Sequence, residues 1–382
     1  MKSRRKKKNT IKIASVYKGC DSAFLTVLIV LITYGIIMCF SASAPSAQSQ
    51  MGDAYYFVKR QIFWVGIGLC AMTVTTFIDA RIYQKYSKFL ITVSILATAL
   101  TLLMPATKGA KRWLGIGSMG IQPSEMIKIA LIIFLADRLS KQKWSPRANS
   151  LTDFAVNYVK DFGKYVLVLG IICLILLLQP HLSCTILICM VAGILFIVGG
   201  VKWSYLLATA SAGIAVLAGF AFSKGYTMER LESYLDPFKY AKDEGYQVVQ
   251  SFYAIGSGGL FGLGLGQSRQ KFLYIPEPQN DFIFSIICEE LGFFGALSVI
   301  LLFAVLIYRG IVIALNCKDT YSAMVVVGII TLITVQVTLN IGVVTGLIPN
   351  TGVSLPFFSY GGSALVFMLA SMGIVLNISK NQ

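Results

Sequence analysis

Two stretches of this 382-residue chain set ionisable side chains against long apolar runs, and a third interrupts such runs with Pro, Gly and Asn. In "PEPQNDFIFSIICEELGFFG" (276–295), Asp281 stands where the apolar run begins, and Glu289 and Glu290 lie inside it. A carboxylate at the edge of hydrocarbon is costly, so such a residue is a functional-site candidate by default. Position alone leaves Asp281 two readings. It can cap a helix by accepting backbone N–H bonds, or it can act as a general base that takes a proton from a bound hydroxyl. On a helix turning about 100° per residue, Glu289 projects within about 80° of Asp281 and Glu290 points roughly opposite. Glu289 is thereby expected at the site and Glu290 in a structural role.

The second stretch is "KGAKRWLGIGSMGIQPSEMIKIALIIF" (108–134). Gln122, Pro123, Ser124 and Glu125 open an apolar run, and Lys128 follows Glu125 at i+3, on the same helix face. An opposite-charge pair inside such a run faces the bundle interior or an aqueous cavity; a purely structural pair has the same spacing. Lys111, Arg112 and Trp113 lie just outside. Cations grouped this way suit a phosphate-bearing ligand. The third stretch is "NIGVVTGLIPNTGVSLPFFSYGGSALVF" (340–367), where Asn340, Pro349, Gly352, Pro356 and Gly361-Gly362-Ser363 interrupt two apolar runs. Broken backbone at membrane depth is tolerated where protein or water lines it, and it often shapes substrate sites. An ordinary turn is the alternative. "GSGGLFGLGLG" (256–266) follows no predicted strand, so it is not a dinucleotide fingerprint, and there is no Walker A motif.

Long apolar segments must position these groups. Mean hydropathy is +0.73, and 56% of residues are hydrophobic against 13% charged, which excludes an ordinary soluble domain. Many runs reach the roughly 20 residues that cross a bilayer as a helix. The expected fold is all-α: one polytopic membrane domain (23–380) behind a basic tail (1–22), with no fixed-period repeat. Ten spans are predicted, near 23–43, 61–78, 88–105, 122–139, 165–180, 184–200, 203–222, 281–306, 322–348 and 357–378.

The tail "KSRRKKKNTIKI" precedes the first span and predicts a cytoplasmic N-terminus, so an even number of spans returns the C-terminus to the same side. It has no cleavage site of the signal-peptide kind. The predicted inner loops agree, with Arg81, Lys85 and Lys88; Lys141, Lys143, Arg147, Lys160 and Lys164; Lys202; and Arg309 and Lys318. Two outer segments run against the bias: "KGAKRW" and a long loop over 223–280 between spans seven and eight. A loop of that length is usually functional or disordered. Within it, "GYQVVQSFYAI" reads as a short amphipathic helix at the membrane surface. The net charge of +16 is therefore a membrane signal, with no nucleic acid implied. Eight scattered cysteines without a CxxC pair read as buried hydrophobes. A single histidine, His181, excludes a His-cluster metal site and a Ser-His-Asp triad.

In order and spacing, "FSAS" (40–43), "YYFVKRQ" (55–61), "KGAKRWL" with "QPSEMIK", the run from Gly245 to Gly292 and "GVSLPFFSYGGSA" (352–364) resemble the SEDS family of cell-wall polymerases, FtsW, RodA and SpoVE. The likeness covers nearly the whole chain and is greatest to the FtsW/SpoVE branch. It implies a ten-span glycosyltransferase of the bacterial cytoplasmic membrane that polymerises lipid II into glycan strands at the outer face, for division or sporulation. It also implies a class B penicillin-binding transpeptidase as partner, among other division or sporulation proteins. The family's essential Asp falls on Asp281, and the Glu and Lys of its QPSE-x-x-K motif fall on Glu125 and Lys128. The expected substrate-binding set is Glu125, Lys128, Lys111, Arg112, Trp113, Gln122, Ser124, Lys271, Glu289, Ser359, Gly361 and Gly362. No dedicated metal ligand is expected; a divalent cation, Mg or Mn, is the one cofactor considered.

Two departures stand out. "QPHLSCT" (179–185) has His181 and Ser183 where the family tends to have Asp and Gly, and Asn280 stands where Thr commonly precedes the Asp. The alternatives from other classes are a flippase for lipid-linked precursor and a non-catalytic division scaffold. An obvious inverted repeat, which would favour transport, is not visible.

Overall fold

The computed structural model describes residues 19–105, 111–115, 120–145, 150–223, 232–243 and 245–380. The basic tail over 1–18, Lys108, Arg147 and the start of the long loop (224–231) lie outside the described residues.

The chain opens with α1 (Ser22–Met51) and α2 (Tyr56–Phe77). Asp21 caps α1 by accepting from Phe24 N at 2.8 Å, and Gly52 ends it in the left-handed conformation at φ 71°. The short α3 (Ala80–Lys85) leads into α4 (Ser87–Leu100), which closes on a 3-10 turn, Thr101–Leu103. α5 (Pro123–Leu139) begins with proline at its first position, where the missing N–H costs nothing. α6 (Leu151–Tyr158) passes through a π-turn (Val159–Gly163) into α7 (Lys164–Leu178); α8 (Leu182–Val198) and α9 (Trp203–Ser223) follow. α10 (Tyr246–Gly258), α11 (Ile283–Leu315), α12 (Thr320–Val344) and α13 (Gly362–Lys380) complete the chain. Among the described residues the only extended pairing is the bridge Leu114–Ile121.

Six of these helical units are long and apolar enough to cross a bilayer: α1, α2, Leu151–Leu178, α11, α12 and α13; α8 and Ser87–Leu103 are shorter apolar helices. Helices exceed the predicted segments where polar residues diluted the apolar signal. The unit expected at 165–180 starts at Leu151, because Ser150 caps it and Asp161, held by Ser145 N at 2.8 Å and Oγ at 3.0 Å, continues it. α11 runs past the expected 306 to Leu315, and its Arg309 pairs with the capping Asp21. Residues 357–361 are turn where helix was expected, with Phe357 at φ 67°.

Small residues allow close approach. A Cβ on Gly373 of α13 would overlap Met72 O of α2, and Asn377 Nδ2 donates to Thr76 O at 2.8 Å. α10 packs on α11 and joins α12 through Ser251 Oγ, which donates to Val344 O at 2.9 Å.

The glycine-rich run lies flat on a break in α11. Gly292 is non-helical (φ 65°, ψ −161°). Cβ atoms at Gly258, Gly262 and Gly292 would each overlap facing backbone, so only glycine lets the two chains meet here. Leu263 N and Gly264 N donate to Glu289 O and Glu290 O, each at 2.9 Å, and Phe293 N donates to Gly259 O at 2.9 Å.

The side chains of Glu289 and Glu290, both fully buried, finish this junction. Glu289 accepts from Arg269 N at 2.9 Å and from the Ser268 hydroxyl. Glu290 pairs with Lys271 Nζ at 2.7 Å and accepts from Ser41 Oγ of α1 at 2.6 Å. This corrects the expectation for Glu289 and Lys271, which were assigned to substrate. Asp281 precedes the helix, so counting 100° steps from it misjudges where Glu289 points.

Removing Glu290 leaves a buried ammonium unpaired, so Glu290→Ala should cost about 3–5 kcal/mol. Glu290→Gln with Lys271→Met should recover most of that loss, as read by thermal unfolding in detergent.

Candidate active site

The chain breaks at one end of the bundle surround a cavity of about 490 Å³. The first wall comes from the segment before α5. Leu114 N donates to Ile121 O at 2.9 Å and Ile121 N returns a bond to Leu114 O at 2.8 Å, which sets Trp113 beside Gln122. Arg112 Nε donates to Gln179 O at 3.3 Å and its Nη2 to Pro180 O, tying this segment to the α7–α8 turn. That turn is itself anchored by Gln179 Nε2, which donates to Thr98 O and Thr101 Oγ1, each at 2.7 Å.

The first turns of α5 supply the buried ion pair. Lys128 Nζ lies 2.7 Å from Glu125 Oε2, and the two side chains are 5% and 13% exposed. Both line the cavity. The exposures decide that this is no surface pair. An ammonium so enclosed is an electrostatic device directed at the cavity, because screening by water is weak there.

The facing wall joins the two loops that the sequence marked as broken. Tyr360 N donates to Gln279 O at 2.8 Å. Asn340 Nδ2 of α12 donates to both Asp281 O and Val353 O, each at 2.7 Å. Asp281 therefore stands on backbone fixed from two directions, and a Cβ on Gly352 would sit 3.5 Å from its Oδ2. The capping position of α11 is Phe282, with no side-chain cap. Asp281 thus precedes the cap, and the structure favours a cavity group over a helix-capping one.

His181 completes the wall in the α7–α8 turn. Its Nε2 lies 3.0 Å from Gln122 Nε2. Burial, reinforced by the charges of Arg112 and Lys128, pushes the imidazole down to about 3 from an ordinary 6.5. The ring is neutral at physiological pH. With the Gln122 amide donating, Nε2 is the acceptor and the proton sits on Nδ1.

Of the expected residues, Asp281, Glu125, Lys128, Arg112, Trp113, Gln122 and Gly361 share this cavity. Six others do not line it. Lys271 and Glu289 hold the glycine-rich loop, as above. Lys111 turns back to Leu102 O at 3.2 Å. Ser124 is buried in the first turn of α5. Ser359 Oγ accepts from Leu355 N at 2.8 Å inside its own turn. Gly362 is packing, since a Cβ there would overlap the Trp64 ring.

Sequence reasoning missed the neutral part of the wall: Gln247, Gln336, Ser354 and Tyr360, with Glu277 as an added carboxylate. Gln336 was legible as an amide in the middle of an apolar helix, four residues from Asn340. Gln247 opens α10 and the others sit in loops, and neither setting carries such a contrast.

Known proteins match the chain over nearly its whole length. A family model described as "Cell cycle protein" (FtsW/RodA/SpoVE) covers residues 21–382. Stage V sporulation protein E of Bacillus subtilis (strain 168) is 41% identical over 363 residues, 94% of this chain and 97% of that protein. A probable peptidoglycan glycosyltransferase FtsW of Geobacter sp. (strain M18) is 34% identical over 365 residues, 95% of this chain and 97% of that one. Among solved structures, a chain from a peptidoglycan synthase complex that coordinates polymerization and crosslinking superposes with a TM-score of 0.76. It is 26% identical and the match covers 95% of this chain and 98% of that chain. The bundle, the motifs in their order and these full-length matches make the chain a member of the FtsW/RodA/SpoVE family of cell cycle proteins.

Proposed function

We propose that the chain is a peptidoglycan glycosyltransferase that polymerises lipid II at the outer face of the bacterial cytoplasmic membrane. The observation that carries this reading is one cavity holding a loop-borne carboxylate, Asp281, with two cations, Arg112 and Lys128. An acceptor hydroxyl needs a base, and a departing diphosphate needs positive charge. The family membership supports the same reaction.

In the proposed step, the acceptor sugar's hydroxyl oxygen attacks the anomeric carbon of the donor. Its proton passes to the Asp281 carboxylate. The bond from the anomeric carbon to the diphosphate oxygen breaks, and the electron pair leaves with undecaprenyl diphosphate. Arg112 and Lys128 stabilise that charge where it develops, which is often the largest catalytic term. Glu125 holds the Lys128 ammonium at the wall through their ion pair. Neutral His181 adds polarity without a third full charge.

Among the described residues no three His, Cys, Asp or Glu converge as a metal cage. Mg or Mn is commonly held by one or two carboxylates together with substrate phosphates. Asp281 and Glu277 fit that donor set and would hold such an ion, which when bound would neutralise diphosphate charge.

The same reading places ten spans across the bilayer, with both termini cytoplasmic and the 223–280 loop outside. The SpoVE and FtsW relatives support a role in division or sporulation, with a class B penicillin-binding transpeptidase as partner. The synthase complex that the chain resembles supports that pairing.

Asp281→Asn should lower glycan polymerisation from purified lipid II by about a thousandfold, with unchanged thermal unfolding. Full activity in that variant removes Asp281 from the base role. Lys128→Ala should lower turnover by about a hundredfold; wild-type rates would make the ion pair structural. His181 gives a pH signature. Its folded pKa of about 3 lies below the ordinary 6.5, so the unfolded chain binds the extra proton. The stabilisation is complete above pH 6.5 and is lost as pH falls toward 3, at roughly 1 kcal/mol per pH unit. Between pH 6.5 and 5, His181→Gln should therefore lose less thermal stability than wild type.

A further inference from the structure

Gln336 has no role in the chemistry above, and its position is unusual. It lies in α12, four residues before Asn340 and eight before the helix end at Val344. At 1.5 Å per residue that is about 12 Å inside the bundle. It is 4% exposed, it lines the cavity, and its Oε1 has no hydrogen-bond partner. Residues four apart share a helix face. The face of α12 that holds the Asp281 backbone through Asn340 thus carries Gln336 one turn deeper. A buried polar group without a partner opposes folding. Its presence on a cavity wall points to a ligand that supplies the missing bond.

A second atom defines what that ligand offers. Asn280, beside Asp281, donates from Nδ2 to Glu277 Oε2 at 2.8 Å, which fixes its amide orientation. Its Oδ1 is left as a buried acceptor without a partner, on the same cavity. Unfilled acceptors call for donors. Phosphate oxygens only accept, so the diphosphate belongs with Arg112 and Lys128. Sugar hydroxyls and acetamido N–H groups donate.

We propose that Gln336 is a saccharide-reading residue. Its amide hydrogen-bonds a hydroxyl or acetamido group of the bound glycan, while the cations take the diphosphate. This rests on the glycosyl-transfer reading above and extends it to the part of the substrate that the carboxylate and cations do not read.

The test uses the purified full-length chain with lipid II, undecaprenyl diphosphate as a competitive inhibitor, and the nearly isosteric Gln336→Met. Wild-type polymerisation is the control for the underlying reading; if it fails, that reading fails first. With an active wild type, Gln336→Met should lower kcat/KM for lipid II by about tenfold or more. Its inhibition by undecaprenyl diphosphate should change less than about twofold, since that product has no sugar. Its unfolding temperature should hold or rise, because an unsatisfied polar group has been removed. Gln336→Asn, which retains the amide at shorter reach, is measured the same way should the methionine variant not accumulate. Unchanged kcat/KM overturns the proposal. So does equal weakening of substrate and undecaprenyl diphosphate. A fall in activity that tracks a fall in unfolding temperature also overturns it, because that marks a structural role.

Discussion

The grip of two buried carboxylates on a loop is the constraint from which the rest of this structure follows. Glu289 and Glu290 sit just before the break at Gly292, where α11 has no continuous ladder to satisfy its backbone. Their carbonyls and side chains collect the loop's N–H groups, the Ser268 hydroxyl and the Lys271 ammonium. Charges in an apolar bundle are tolerated only when paired and hydrogen-bonded, and here the pairing partner is the loop itself. The loop cannot leave without stranding them. It therefore delivers the segment around Asp281 to a fixed place.

Around that anchor the cavity divides its electrostatics. Cations enter from the segment before α5 and from α5 itself, each held by protein acceptors. Apart from Glu125, which is paired with Lys128 on α5, carboxylates enter from the loop before α11. Neutral amides and hydroxyls lie between. A charged ligand is oriented by such a field before any short-range contact forms. His181 fits the division because burial, reinforced by the cations beside it, keeps it uncharged. A carboxylate in its place would pair with Arg112 or Lys128 and weaken their claim on an incoming anion.

Much of this was legible in the sequence, for a physical reason. Charges against long apolar runs are conspicuous, so Asp281, Glu125, Lys128 and Arg112 were visible as a set, and the hydropathy located the bundle. Helix ends were less visible: Asp161 and Arg309 lie within helical units but look like loop residues until their partners are known. Glu289 was expected beside Asp281 because a helical wheel assumes an unbroken helix that begins at the reference residue, whereas Lys271 entered with the family resemblance and here pairs with Glu290. Asp281 lies before the helix, and a single glycine breaks it further on. Gln247, at the start of α10, and Ser354 and Tyr360, in loops, gave no signal, because polar residues at helix starts and in loops are ordinary and only tertiary closure brings them together.

The Asn340 amide acts as a mechanical clamp. One NH₂ group spans two carbonyls, those of Asp281 and Val353, which belong to different loops. Both loops are thereby bolted to a single point on α12. Any tilt or slide of that helix carries Asp281 and the Val353 loop as one rigid body, and their separation is conserved while the surroundings move. A site assembled from chain breaks thus has the stiffness of a helix, so its alignment need not be rebuilt each time a bulky polymer end is shifted along.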